Sequence, residues 1–136
     1  MVGVFDMLDK VEYWLDLADD DVSVAELLLN GQKYLQAGFF CHLIAEKALK
    51  AMVASVMSEI PPKIHDLAAL AELGGIFDDL SEQQMNLLKD LNPLQIEARY
   101  PIYKDRIVKT LTFEITEKLF KETGEFLCWI KQKLGK

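Results

Sequence analysis

The sequence has few of the residues that cross-link a fold or carry it through a membrane. Its 136 residues include only two cysteines, Cys41 and Cys128, and they show no CxxC spacing. Both fall inside predicted helices, so we interpret them as small buried hydrophobes rather than as a disulfide or a metal framework. No apolar run reaches the roughly 18 residues of a membrane span. We therefore expect no disulfide and no membrane-spanning helix.

The common catalytic and cofactor motifs are also missing. The sequence contains no glycine-rich phosphate loop, no HExxH, no GxSxG and no Glu-x-x-His pair of the kind used in di-iron bundles. His42 and Glu46, four residues apart, could form half of a metal site, but there is no third candidate ligand on a facing helix. We expect neither a metal nor another cofactor.

Low-complexity linkers and internal repeats are absent as well. We therefore expect residues 1–136 to form a single domain with a real core. The N-terminal MVGVFDMLDK has no basic region ahead of a long apolar stretch, so we expect a cytoplasmic protein. Hydrophobic residues make up 51% and the mean hydropathy is +0.08, which favours burial of a further face by self-association. A homodimer is the predicted assembly.

The stretch KYLQAGFFCHLIAEKALKAMVASVMS, residues 33–58, predicts the central helix of an all-α fold. It contains no proline, and its polar groups form one strip of His42, Glu46, Lys50 and, at the edge, Lys47. The rest of the circumference is apolar, far wider than the roughly 100° stripe of a helix that lies on a core. Glu46 and Lys50 could be an exposed pair, or the four polar residues could line one wall of a groove.

Further helices are predicted on both sides of this stretch, over residues 9–30, 66–73, 81–91 and 113–134. Gly31 and Gln32 allow only an antiparallel turn between the first two helices. Ser81 and Gln84 form a capping box, and Asn92-Pro93 breaks or restarts the helix, which runs on to about residue 98. The predicted fold is an up-and-down antiparallel bundle of four to five helices.

Two residues stand out from the helical patterns. Asp21 lies in the middle of the apolar face of the first helix, where a carboxylate is costly unless a cation or several donors satisfy it. Its candidate partners are Lys47, Lys50 and Arg99. In the last helix, Trp129 lies off the apolar stripe and is either a second packing contact or part of a dimer seam. That stripe is predicted to comprise Ile115, Leu119, Phe120, Phe126, Leu127, Ile130 and Leu134.

The net charge of −7 is distributed unevenly. Residues 1–30 hold eight acids against one base, whereas the remaining chain has fourteen of each sign. The one local basic cluster comprises Arg99, Lys104, Arg106 and Lys109 against Asp105. It is too small for the broad positive face that duplex binding needs, but it could hold a phosphate or a few nucleotides.

Several of these segments together resemble a known family. They are Trp14, Ala18, Asp21 and Ala25 in the first helix, GQKYLQAGFFCHLIAEKALKA at 31–51, PPKIHDLAAL at 61–70 and ARYP at 98–101. They are similar to the HEPN domain, named for higher eukaryotes and prokaryotes nucleotide-binding. The resemblance implies a dimeric helical bundle, often encoded beside a minimal nucleotidyltransferase in toxin–antitoxin pairs. Many members are regarded as ribonucleases that use an Arg-x4–6-His motif.

In this chain Arg99 could stand for the family's arginine, but no histidine follows it. The leading hypothesis is a dimer that is non-enzymatic or only weakly active. It would bind a nucleotide, RNA or a nucleotidyltransferase partner. The binding candidates are Asp21, Glu46, Lys47, Arg99, Tyr103, Lys104 and Arg106. An alternative is a metal-independent ribonuclease that uses Arg99 with His42 or His65, although His65 more simply caps or packs. A third is a purely structural interaction protein.

Overall fold

In the computed structural model, described backbone covers residues 2–57, 61–97 and 111–136, and described side chains cover 10–57, 61–95 and 111–136. Every regular element in these ranges is helical, which confirms the all-α prediction. The elements are α1 (Val2–Asn30), α2 (Tyr34–Val56), α3 (Leu67–Leu73), a 3-10 turn (Phe77–Asp79), α4 (Glu82–Glu97) and α5 (Phe113–Lys133).

Helix α2 is the centre of the bundle, as its wide apolar arc predicts. It packs against α1, α3, α4 and α5. Ile44, Leu49 and Val53 are completely or almost completely buried, and each contributes on the order of 1.5–3 kcal/mol through removal of its side chain from water. The residues of α2 therefore reach all the other helices, and polar groups on this helix lie inside the fold.

The turn between α1 and α2 ends the first helix with a left-handed residue. The Lys33 N–H donates to the Leu28 carbonyl at 2.8 Å and the Gln32 N–H to the Leu29 carbonyl at 3.1 Å, the two bonds of a Schellman motif. The positive φ of 63° falls on Gln32. Gly31, the glycine of this turn, therefore lies one residue before the position that most favours glycine.

The starts of the shorter helices follow the sequence signals. The Ser81 hydroxyl accepts from the Gln84 backbone N–H at 3.1 Å, and the side-chain Oε1 of Gln84 accepts from the Ser81 backbone N–H at 2.9 Å, which confirms the capping box. Asp66 accepts from the backbone of α3, and Thr112 accepts from the Ile115 N–H at 3.3 Å. Local capping therefore fixes where α3, α4 and α5 begin.

Three predictions about the helices were wrong. Helix α4 continues through Pro93 without a break. Pro93 lies on the exposed face of the helix, where water can solvate the backbone carbonyl one turn earlier, and Leu91 and Leu94 are buried on the inner face. Helix α1 begins at Val2 rather than at residue 9, with no proline to stop it. Ile115 is exposed instead of lying in the core, and Thr116 occupies the buried position beside it.

Trp129 is half-buried and packs against the core, with its ring 5.8 Å from that of Phe126. The Lys133 ammonium lies 5.0 Å from the centre of the Trp129 ring. Packing within the chain therefore accounts for this side chain. None of the described helices has both the length and the apolar content needed to cross a lipid bilayer.

Candidate functional site

Glu46 is the centre of a buried polar cluster on α2. Its Oε2 accepts from the Lys50 ammonium at 3.1 Å, and its Oε1 accepts from Nδ1 of His65 at 2.9 Å. Nδ1 of His42 lies 3.7 Å from the same Oε1. Glu46 and Lys50 are 4% and 7% exposed, and His42 is completely buried. Three residues of the polar strip, His42, Glu46 and Lys50, therefore lie in an interior cluster. The interpretation of Glu46 and Lys50 as an exposed pair is wrong.

The cluster keeps Glu46 ionised despite its burial. Burial on its own raises the pKa of the carboxyl group. The hydrogen bond from His65, the charge and hydrogen bond of Lys50 and the charge of His42 lower that pKa by more than burial raises it. The net effect places the pKa of Glu46 below its usual range. At neutral pH the group is therefore a carboxylate that accepts from its neighbours.

Two hydrogen bonds attach His65 to α2. Its backbone carbonyl accepts from Nε2 of His42 at 3.2 Å, and its ring donates from Nδ1 to Glu46. A carboxylate can only accept, so Nδ1 carries a proton and, in the neutral ring, Nε2 is the acceptor. The His65 side chain is 47% exposed. The chain turn after Pro61-Pro62 therefore presents an oriented imidazole at the surface.

A cavity of about 400 Å³ opens beside this imidazole. The described residues that line it are His65, Asp66, Asn92, Pro93 and Gln95. The side-chain Oδ1 of Asn92 accepts from the Leu67 N–H at 3.0 Å, and its side-chain Nδ2 donates to Oδ1 of Asp66 at 3.3 Å. These bonds join the start of α3 to α4. The cavity therefore lies between fixed elements and is in the size range of small-ligand sites.

Asp21 forms a second ion pair, between α1 and α2. Its Oδ2 lies 2.5 Å from the Lys47 ammonium, and Asp21 is 8% exposed. The structure confirms that Asp21 is buried and paired with a cation of the central helix, and it selects Lys47 among the candidates. The Lys50 ammonium lies 5.3 Å from the centre of the Trp14 ring, so α1 also covers the Glu46 cluster.

The predicted site residues therefore divide into three groups. Glu46 belongs to the interior cluster beside His65, and Asp21 and Lys47 form a structural pair; within the described residues, no hydrogen bond or ion pair joins this pair to Glu46. The remaining candidates fall in residues 98–110, outside the described residues. They are Arg99, Tyr103, Lys104 and Arg106.

His65 is the residue that the sequence interpretation undervalued, since it was expected to cap or pack. A signal was present: a single carboxylate on an otherwise apolar central helix needs a partner, and His65 is the first histidine after that helix. The sequence does not show how the turn after Pro61-Pro62 folds back, so the pairing could not be assigned.

The described residues offer little for a metal or a reactive thiol. No group of three or more His, Cys, Asp or Glu side chains that could hold a metal occurs in the described part of the chain. Cys41 and Cys128 are both free. The prediction that both cysteines are buried was wrong for Cys128, which is exposed on α5. Burial raises the pKa of the Cys41 thiol to about 12.

One family model matches this sequence. It is described as the HEPN domain, and the match covers residues 11–133. The matched range includes most of α1 and all of α2, α3, α4 and α5. Neither a curated protein nor a solved structure matches the chain.

Proposed function

The chain belongs to the HEPN domain family, and from that premise we propose that it binds a nucleotide or a short stretch of RNA beside His65. The observation that carries the proposal is the Glu46–His65 hydrogen bond of 2.9 Å. A buried carboxylate that fixes the tautomer of a half-exposed histidine is the arrangement proteins use to present a ring nitrogen to a ligand. The adjoining cavity gives that ligand a place to lie.

Charge for the phosphate would come from the basic cluster that begins at Arg99. This residue follows Gln95, which lines the cavity, by four positions in the sequence. An arginine guanidinium matches phosphate in a bidentate manner, and Lys104 and Arg106 add positive charge. Tyr103 supplies an aromatic ring of the type on which bases stack. In this proposal Glu46 positions His65, whereas Asp21 and Lys47 hold α1 against α2.

Isothermal titration calorimetry with AMP and with a short single-stranded RNA tests the proposal. Loss of one charge-assisted hydrogen bond to phosphate weakens binding by about tenfold or more, so Arg99→Ala should bind at least that much more weakly than the wild type. Lys121→Ala is the matched control, since it removes one positive charge from an exposed position on α5. Equal affinities for all three proteins, or no binding by the wild type, would reject the proposal.

The same Glu46–His65 geometry favours a second function, metal-independent RNA cleavage. Such cleavage needs a group that takes the 2′-hydroxyl proton, and Nε2 of a neutral His65, oriented by Glu46, is chemically suited to that role. Arg99 would stabilise the charge on the phosphate. In this second function, His65 would take the role of the motif histidine that is missing after Arg99.

Incubation of structured RNA with the protein in the presence of a chelator separates binding from cleavage. If the protein is a ribonuclease, His65→Gln should abolish the cleavage, Glu46→Gln should reduce it, and Lys121→Ala should leave it unchanged. We expect the protein to bind RNA more readily than it cuts it. Cleavage needs both a general acid and a general base, and His65 is the one histidine of the chain that reaches the cavity. Binding without cleavage by the wild type would remove this second candidate and leave the first.

The assembly and the partners also belong to the proposal. We propose that residues 1–136 form one domain, that the chain forms a homodimer, and that it acts in the cytoplasm with a nucleotidyltransferase as one half of a toxin–antitoxin pair. Exposed apolar side chains support a further interface: Leu27 is 73% exposed, and Phe113 and Ile115 are also exposed. Light scattering should give about twice 15.5 kDa. A monomer at all accessible concentrations would reject the homodimer. If the protein neither binds a nucleotide nor cleaves RNA, the results favour a purely structural interaction protein.

A further inference from the structure

Gln95 is a largely buried glutamine that lines the cavity beside His65. The residue is 6% exposed. Among the residues that the structure describes, none hydrogen-bonds its side chain, and its carboxamide atoms are not sealed from solvent. The carboxamide is therefore reachable by a ligand in the cavity. A carboxamide offers two donor hydrogens and an acceptor oxygen, so a ligand in the cavity would find both functions at one point.

The other polar groups of the cavity are already engaged in holding the fold. Oδ1 of Asp66 accepts from the backbone N–H groups of Ala68 and Ala69 and from the Asn92 amide. Asn92 in turn accepts from the start of α3. Of the described residues that line the cavity, Gln95 and the half-exposed ring of His65 therefore remain for a ligand, with the Pro93 ring as an apolar surface beside them.

This combination suits a flat heteroaromatic ring with a donor and an acceptor on one edge. The imidazole and the proline ring can pack against the faces of such a ring, and a glutamine carboxamide can form two hydrogen bonds with its edge. A cavity of about 400 Å³ has room for it. We propose that the cavity binds the base of the nucleotide and that Gln95 reads the edge of that base. This inference rests on the nucleotide binding proposed above and adds where the base lies.

Calorimetric titration of the wild-type protein with AMP, GMP, CMP, UMP and ribose 5-phosphate tests the inference. Ribose 5-phosphate carries the sugar and the phosphate without a base. We expect at least one mononucleotide to bind about tenfold or more tightly than ribose 5-phosphate, the effect of one good bidentate contact. Gln95→Leu should remove that difference and leave the affinity for ribose 5-phosphate unchanged. Gln36→Leu, an equivalent change at an exposed position on α2, should preserve it.

The outcomes separate the two proposals. If no ligand binds, both the proposed function and this inference fail. If ribose 5-phosphate binds as tightly as every mononucleotide, phosphate recognition stands and the base-binding cavity is rejected. A preference for a base that survives Gln95→Leu also rejects it. Should Gln95→Leu fail to fold, the side-chain amide signals of Gln95 in the wild type decide: they should shift with the preferred mononucleotide and stay unchanged with ribose 5-phosphate.

Discussion

Oε1 of Glu46 lies 2.9 Å from Nδ1 of His65, a residue 19 positions further along the chain. The carboxylate is in the interior and the imidazole reaches the surface, so the bond connects the core of the bundle with the cavity between α3 and α4. The same carboxylate also accepts from Lys50. Under the proposed function, stability and ligand binding therefore depend on one group.

The first prediction concerns pH. Because the pKa of Glu46 is lowered in the folded protein, its contribution to stability is present above the pKa of an ordinary glutamate, roughly 4.3, and is lost as the pH falls through the folded value. Thermal unfolding of the wild type should shift to lower temperature between about pH 5 and pH 3. In Glu46→Gln this contribution to the shift should be absent. Glu117→Gln, at an exposed position on α5, should retain the wild-type pH dependence. Parallel curves for all three proteins would contradict the assignment.

The second prediction concerns the Asp21–Lys47 pair. Asp21→Ala leaves a lysine ammonium without its partner in a largely buried position, which should cost about 3 kcal/mol of unfolding free energy. Asp20→Ala, its exposed neighbour, should stay within about 0.5 kcal/mol of the wild type. Urea denaturation measures both values. Similar midpoints for the two variants would show that the pair does not stabilise the α1–α2 contact.

The third prediction uses the backbone of the α1–α2 turn. Gln32 has a φ of 63°, a conformation that glycine adopts without the penalty of a Cβ atom. Gln32→Gly should therefore raise stability by about 0.5–1 kcal/mol. The same change at the exposed helical residue Gln36 should lower stability by up to about 1 kcal/mol. Chemical denaturation checks the signs, and a loss of stability in Gln32→Gly would be inconsistent with the Schellman turn.

The fourth prediction concerns the two thiols. Cys41 is fully buried and its pKa is raised to about 12, whereas Cys128 is exposed on α5. Since the thiolate is the reactive form, iodoacetamide should modify only Cys128 in the native protein and both residues in guanidinium chloride. Peptide mass spectrometry locates the label. Rapid native labelling of Cys41 would show that the contact between α2 and α5 opens readily.

Much of this fold follows from local signals in the sequence. The apolar arc of α2, the capping box at Ser81 and the pairing of Asp21 with a cation could all be predicted, because each depends on helical spacing or on the cost of a buried charge. Pro93 misled the prediction, since a proline is tolerated where its helix face meets water.

The site was harder to predict than the helices. Glu46 was identified as a candidate, but its partner His65 comes from a turn whose path depends on tertiary packing. The cavity depends on how α3 docks against Asn92 of α4. Neither contact has a periodic signature in the sequence. Arg99 lies outside the described residues and stays a prediction from the sequence.

The most direct test of the central claim is a long-range ¹H–¹⁵N spectrum of the histidine rings during a titration with AMP. The chain has only two histidines, so His65→Gln assigns both sets of signals. His65 should show a protonated Nδ1 in the free protein, and its Nε2 signal should shift in a saturable manner as AMP binds. The ring of His42, which is fully buried, should shift much less. A His65 signal that stays unchanged at saturating AMP would contradict the claim that this residue faces the ligand.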